Sequence, residues 1–211
     1  LNWLQRNEPD LWAKVTRCCS HQDFFLRQYG ASGYFIDEGS ANFLSMTGVY
    51  DCEWKDRLIS IYNIDKSYLP TIVHSPGKIV GHISKEVSEK TGLSTDCLVC
   101  LGGLDTNCSL LGAGASEPGT DVLIVGTAGV SILVSDSAKL DPNKRVTLRT
   151  NPGIGNWQYY IMTNTAASSF RWFRDELCSM EVATSKLIAS DPYDIMTSMA
   201  MTSKPGANGV T

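Results

Sequence analysis

Apolar residues in this chain fall into short runs separated by glycine- and proline-rich punctuation, and the spacing of each run predicts its element. Pro9 suits the first turn of a helix, and Trp12, Val15 and Cys19 then recur at helical spacing, which predicts a helix carrying Cys18-Cys19. A second helix is expected over His21 to Tyr29, with Phe24, Phe25 and Leu26 as its apolar surface and Gly30-Ala31-Ser32-Gly33 as its break. Tyr34 to Gly48 is small and polar and reads as a loop. Trp54 to Tyr62 reads as a helix with Leu58, Ile59 and Tyr62 on one side. Leu69-Pro70 and Ser75-Pro76-Gly77 mark turns. Ile79 to Ile83 is an expected strand, and Lys85 to Thr91 a helix capped by Ser84 and stopped by Gly92.

Two apolar runs then end in glycine turns, each expected to be a buried strand. The first is Leu98-Val99-Cys100-Leu101, followed by Gly102-Gly103-Leu104-Asp105 and a small, apolar helical stretch, Cys108 to Gly114. The second is Val122 to Val125, followed by Gly126-Thr127-Ala128-Gly129. Glu117-Pro118-Gly119-Thr120 lies between them and is the best boundary, dividing residues 1–117 from 118–211. Beyond it come strands at Val130–Val134 and Trp157–Thr163, then a helix over Ala167 to Leu177 with Phe170, Phe173 and Leu177 in register. Asp191-Pro192 opens another helix, 204–209 is a turn, and Val210-Thr211 reads as the start of a strand. Helices and strands alternating over short connections predict an α/β fold.

Composition narrows the classes of function. With 18 basic against 22 acidic residues and no basic block, nucleic acid and anionic membranes are poor partners. No apolar run approaches the roughly 20 residues of a membrane span. The opening residues carry no signal-peptide pattern and no initiator Met, which suggests a piece of a longer chain. The 7 cysteines form no disulfide framework or zinc set, because Cys97 and Cys100 have no second Cys/His pair to complete four ligands. Cys97 and Cys100 read as reduced thiols buried in a strand, and the reduced state overall is in keeping with the cytoplasm.

Asp105 is the first candidate for chemistry, since a carboxylate at the end of a strand can take a proton from a substrate hydroxyl. The same residue would serve equally as a helix cap. Thr127 is the second: a glycine-flanked hydroxyl turn with accessible N–H groups can hold phosphate oxygens, yet a plain hairpin has the same pattern. No P-loop, dinucleotide fingerprint or nucleophile elbow occurs. His21, His74 and His82 form no triad and read as surface or capping residues. Asp37 and Glu38 read as a solvated turn, and Trp172 as core.

The order of these pieces is more specific than any one of them. Leu4-x-x-Asn7-Glu8-Pro9-x-Leu11-Trp12, Gln22-Asp23-Phe24-Phe25-Leu26, Asp37-Glu38-Gly39-Ser40-Ala41-Asn42, Gly102-Gly103-Leu104-Asp105, Leu111-Gly112-Ala113-Gly114, Gly126-Thr127-Ala128-Gly129 and the Ser168–Asp175 helix follow one another in this chain. This succession resembles the FGGY carbohydrate kinases over nearly the whole length. The resemblance implies an actin-like, ribonuclease-H-like fold of two domains with sugar and ATP in the cleft between them. Residues 1–117 would be the later part of the sugar-binding domain and 118–211 the early part of the nucleotide-binding domain. It implies magnesium-ATP as phosphoryl donor and a sugar or polyol as acceptor, in a cytoplasmic enzyme, with a homodimer left open.

Residue by residue, the resemblance makes Asp105 the base, with Asp105, Thr106 and Glu38 on the substrate side. Gly126 and Thr127 would meet the ATP phosphates, and Ala167 and Arg171 take positions that contact nucleotide in glycerol kinases. There are departures. Glu38 stands where glycerol kinases place a substrate-stacking Tyr, which argues against glycerol. Ala128 replaces a common Ser, and Ala167 and Arg171 replace Gly and Gln. The Ser40-Ala41-Asn42 loop is closer to pentulose kinases of the xylulose type. The family's first phosphate turn is expected before Leu1 and its adenosine-cradling glycine pair after Thr211, so the 211 residues alone are expected to be inactive. A non-catalytic sugar- or nucleotide-binding relative is the alternative reading.

Overall fold

The computed structural model describes residues 1–151 and 156–209. The expected strand start at Val210-Thr211 lies outside them. The chain forms two compact units, Leu1–Val122 with Ile132–Ile161, and Leu123–Ser131 with Met162–Thr211.

The first unit opens with short helices α1 (Asn2–Asn7) and α2 (Pro9–Trp12), Pro9 taking the first turn of α2. The expected continuation to Cys19 does not form: residues 15–20 have no regular structure, and Cys18 instead donates its N–H to Tyr68 O at 2.9 Å. Helix α3 (His21–Tyr29) has its expected bounds, ending at Gly30 with φ 125°. A Cβ at Gly30 would sit 2.1 Å from His82 O, so only glycine lets α3 end against the strand behind it.

The stretch expected as loop holds strand β1 (Phe35–Asp37) and helix α4 (Glu38–Phe43). Strand β1 pairs in parallel with β2 (Thr71–Val73), matching Asp37 with Val73. Between them, α5 (Asp56–Ile59) and a 3-10 turn over Ser60–Tyr62 replace the single helix expected from Trp54. Ile36, Ala41, Met46, Cys52, Trp54, Ile59 and Leu69 form the core here, and the Trp54 indole donates to Pro70 O at 2.9 Å.

Strand β3 (Ile79–His82) and β4 (Leu98–Cys100) pair antiparallel around helix α6 (Lys85–Thr91). The Ser84 hydroxyl caps Val87 N and Gly92 ends α6 in a left-handed conformation, both as expected. Only one face of β4 is buried: Val99 and Leu101 join Ala31, Val73 and Val80 in a second core, while Leu98 and Cys100 face out. The expected burial of the Cys100 thiol is therefore corrected by the period-two alternation of a strand with one covered face. Helix α7 (Asp105–Gly112) follows the glycine pair.

Strands β5 (Asp121–Val125), β6 (Gly129–Ser135), β7 (Thr147–Asn151) and β8 (Asn156–Thr163) form a sheet ordered β5-β6-β8-β7. Strand β5 is not buried as expected, since Leu123 and Val125 are exposed. The second unit continues into α8 (Ala167–Leu177), α9 (Ser179–Leu187) and α10 (Pro192–Ala200). Asp191 caps α10 through Tyr193 N, and Phe170 stacks on Tyr193. Trp172 is 58% exposed, so it is not core.

Candidate functional site

The Asp105 turn is anchored where β4 ends. Leu101 N donates to Lys78 O at 2.9 Å, and Leu101 O accepts from Gly77 N at 2.7 Å, which fixes the strand end before the glycines. A Cβ at Gly102 would lie 3.0 Å from the Gln22 amide, so the missing side chain admits a close neighbour. Leu104 is the N-cap of α7 and contributes no side-chain cap. Asp105 is the first helical residue; its Oδ1 accepts from Thr106 N at 2.7 Å. An acid in the first turn complements the helix dipole. One carboxylate oxygen thus serves the helix end, and the exposed side chain leaves the other toward solvent. Thr106 beside it is half-buried.

Asp37 and Glu38 are not a solvated turn. Asp37 is completely buried, and its Oδ1 caps α4 by accepting from Ser40 N at 3.1 Å. With the Gln22 amide oriented to satisfy both neighbours, its nitrogen donates to Asp37 Oδ2 at 2.9 Å and its oxygen accepts from Gly102 N at 3.2 Å. Gln22 therefore ties the acid turn to the backbone that leads into Asp105. The Glu38 side chain is 17% exposed and lies 3.7 Å from His74 Nδ1, with Glu53 3.2 Å from His74 Nε2. Burial pushes the Glu38 carboxyl above its ordinary value, and His74 opposes that shift. Burial also pushes the Cys52 thiol up to about 12, so it stays protonated and donates to Glu38 O at 3.2 Å. Glu38 and His74 both directly follow the carboxyl ends of parallel strands, where α/β sheets gather ligand contacts.

In the second unit, the Gly126–Gly129 turn is fastened to the start of α8. Thr127 O accepts from Ala166 N and from Ser168 Oγ, both at 2.8 Å, and Gly126 O accepts from Ala167 N at 2.9 Å. Among the described residues the Thr127 hydroxyl has no hydrogen-bond partner, and Gly126 is exposed, with nothing nearer to an added Cβ than Ala128 O at 3.8 Å. Gly129 is the packed member: a Cβ there would meet Thr163 Cγ2 at 2.9 Å and Ala166 Cβ at 3.1 Å. Ala167 and Arg171 are both exposed, one turn apart on a single face of α8. Gly126, Thr127 and Ala167 are thus brought together by backbone bonds, with Arg171 along the same helix.

Gln22 and His74 were not singled out for these roles by the sequence. Their partners lie far away in the chain; Gln22 stands in one of the ordered motifs, but nothing there points to Asp37 or Gly102. Among the described residues no cluster of three His, Cys, Asp or Glu side chains is suited to hold a metal ion. None of the described helices is long and apolar enough to cross a membrane.

Solved sugar kinases share this fold. The structure matches a xylulose kinase from Rhodospirillum rubrum with TM-score 0.83 at 23% identity, covering 99% of this chain and 40% of that one. It matches a gluconate kinase from Lactobacillus acidophilus with TM-score 0.82 at 21% identity, covering 97% and 39%. The architecture is the actin-like ATPase fold. In sequence, residues 1–112 match the FGGY family of carbohydrate kinases, N-terminal domain, and the chain belongs to that family. A gluconokinase of Bacillus licheniformis is 24% identical over 213 aligned residues, covering 100% of this chain and 40% of the relative. An autoinducer-2 kinase of Salmonella typhimurium is 27% identical over 213, covering 100% and 39%. The chain spans about 40% of the length of the relatives it matches.

Proposed function

We propose that the complete protein transfers the γ-phosphate of ATP to a hydroxyl of a pentulose-like carbohydrate in the cytoplasm. Residues 1–117 belong in this reading to the sugar-side domain and 118–211 to the nucleotide-side domain. The observation that carries it is the exposed Asp105 carboxylate opening α7 directly after Gly102-Gly103, inside the segment matched by the family. Asp105 accepts the proton of the attacking hydroxyl, with Thr106 and Glu38 as further substrate contacts. Phosphoryl transfer asks chiefly for an oriented nucleophile and neutralised charge, and one positioned carboxylate meets the first need.

Two features support phosphate at the Gly126-Thr127 turn: Gly126 is exposed, and among the described residues the Thr127 hydroxyl has no hydrogen-bond partner. Ala167 and Arg171 extend the nucleotide contact along α8. Magnesium, usually held by one or two carboxylates together with substrate phosphates, would supply charge neutralisation. A panel of ketopentoses, polyols and sugar acids, assayed for acceptor-dependent ADP release by the complete protein, tests the reading. Release with a neutral pentulose supports it, and release with no carbohydrate in the panel overturns it.

A further inference from the structure

Helix α7 presents two buried side chains, Asn107 and Leu110, one turn apart on its inner face. Leu110 gives a contact without direction. Asn107, 3% exposed, gives a directional one: its Oδ1 accepts from Gln158 Nε2 at 2.9 Å. Gln158, on β8 and 2% exposed, donates from the same nitrogen to Thr150 O at 2.7 Å. Thr150 is itself 7% exposed on the neighbouring strand β7.

This cluster is an expensive way to fill a core. Asn107 Nδ2, Gln158 Oε1 and Thr150 Oγ1 have no partner among the described residues. A partly satisfied buried network is less stable than apolar side chains of the same size. What the amides provide and apolar packing does not is a fixed rotation of α7 about its axis. At 3.6 residues per turn, Asp105 lies about 200° around the helix from Asn107. Holding Asn107 inward therefore holds Asp105 outward, as its exposure records.

We infer that Gln158 is a positioning residue for Asp105, acting through Asn107 to aim the carboxylate. The inference rests on the proposed role of Asp105 as base. Its sequence gives no hint of the pairing, since 51 residues separate the two amides.

The test compares Gln158→Met and the double variant Gln158→Met/Asn107→Leu with the parent in the complete protein, alongside Asp105→Asn. The double variant has a dry, apolar cluster and is expected to melt at or above the parent temperature. Its kcat is expected to fall about 10- to 100-fold, the scale of a misplaced catalytic group, with KM for sugar and ATP within about twofold. Parent-like kcat in a folded double variant overturns the inference. Should the double variant fail to fold, Gln158→Met alone carries the same comparison: kcat lost at unchanged KM supports the inference, and parent kcat overturns it. Asp105→Asn keeps the two readings apart. If it retains turnover, the base assignment fails; if it loses turnover while the network variants keep theirs, only the positioning role fails.

Discussion

Two glycines in one turn should respond oppositely to the same added methyl. At Gly126 an alanine Cβ would meet nothing closer than Ala128 O at 3.8 Å, an ordinary contact, and the residue has no left-handed φ. Gly126→Ala should therefore be neutral or stabilising by about 0.4–1 kcal/mol, because alanine restricts the unfolded chain. At Gly129 the methyl would stand 2.9 Å from Thr163 Cγ2 and 3.1 Å from Ala166 Cβ, on a buried position. Overpacking of this kind costs about 1–3 kcal/mol. The two variants should differ by about 1–4 kcal/mol in chemical unfolding of the complete protein. The order reverses for nucleotide. If phosphate oxygens approach the open face of Gly126, its alanine variant should bind magnesium-ATP about tenfold more weakly by calorimetry, a loss of about 1.4 kcal/mol. A stable Gly126→Ala protein with parent affinity would refute the phosphate cradle, and a neutral Gly129→Ala would refute the packing.

Other consequences follow from the buried groups. Asp23 and Glu38 both have carboxyls raised by burial, so each ionises earlier in the unfolded chain than in the folded one. Their contribution is fully present below about pH 4 and is lost as pH rises through the raised folded values. Asp23→Asn should therefore gain stability relative to the parent as pH rises from 4 to 7, and a melting-temperature gap that stays constant would contradict this. In thiol titration of the native fold, Cys100 and Cys108 are exposed and should react early, while Cys52, held as a thiol at about 12, should react only on unfolding. Mass-spectrometric mapping that finds Cys52 among the first modified would be incompatible with its buried bond to Glu38 O.

Legibility in the sequence tracked how local each signal is. Helices α3, α6 and α8 appear with their expected bounds, because Gly30, the Ser84–Gly92 pair and the Ala167 register act within a turn or two. Strands β1 and β2 carry no local signal, because each has three residues and is defined by a parallel partner 36 positions away. Helical spacing through Cys19 misled, because Cys18 is held by Tyr68 and the chain leaves the helix after Trp12. Asp37 and Glu38 looked solvated because nothing nearby predicts their burial; Gln22 and His74 reach them from elsewhere in the fold. At the candidate site, the glycine turns were visible as motifs. The Gln22 contacts beside the Asp105 turn and the Gln158–Asn107 bond on α7 were not, since an amide in one sequence carries no sign of its partner.

The role of Asp105 is tested most directly by one substitution in the complete protein. Asp105→Asn keeps the size of the side chain and an oxygen able to accept from Thr106 N, but removes the proton acceptor. Acceptor-dependent ADP release should fall by about 100-fold or more, the scale of lost acid–base catalysis, while magnesium-ATP affinity stays within about twofold. Turnover close to that of the parent would contradict the account.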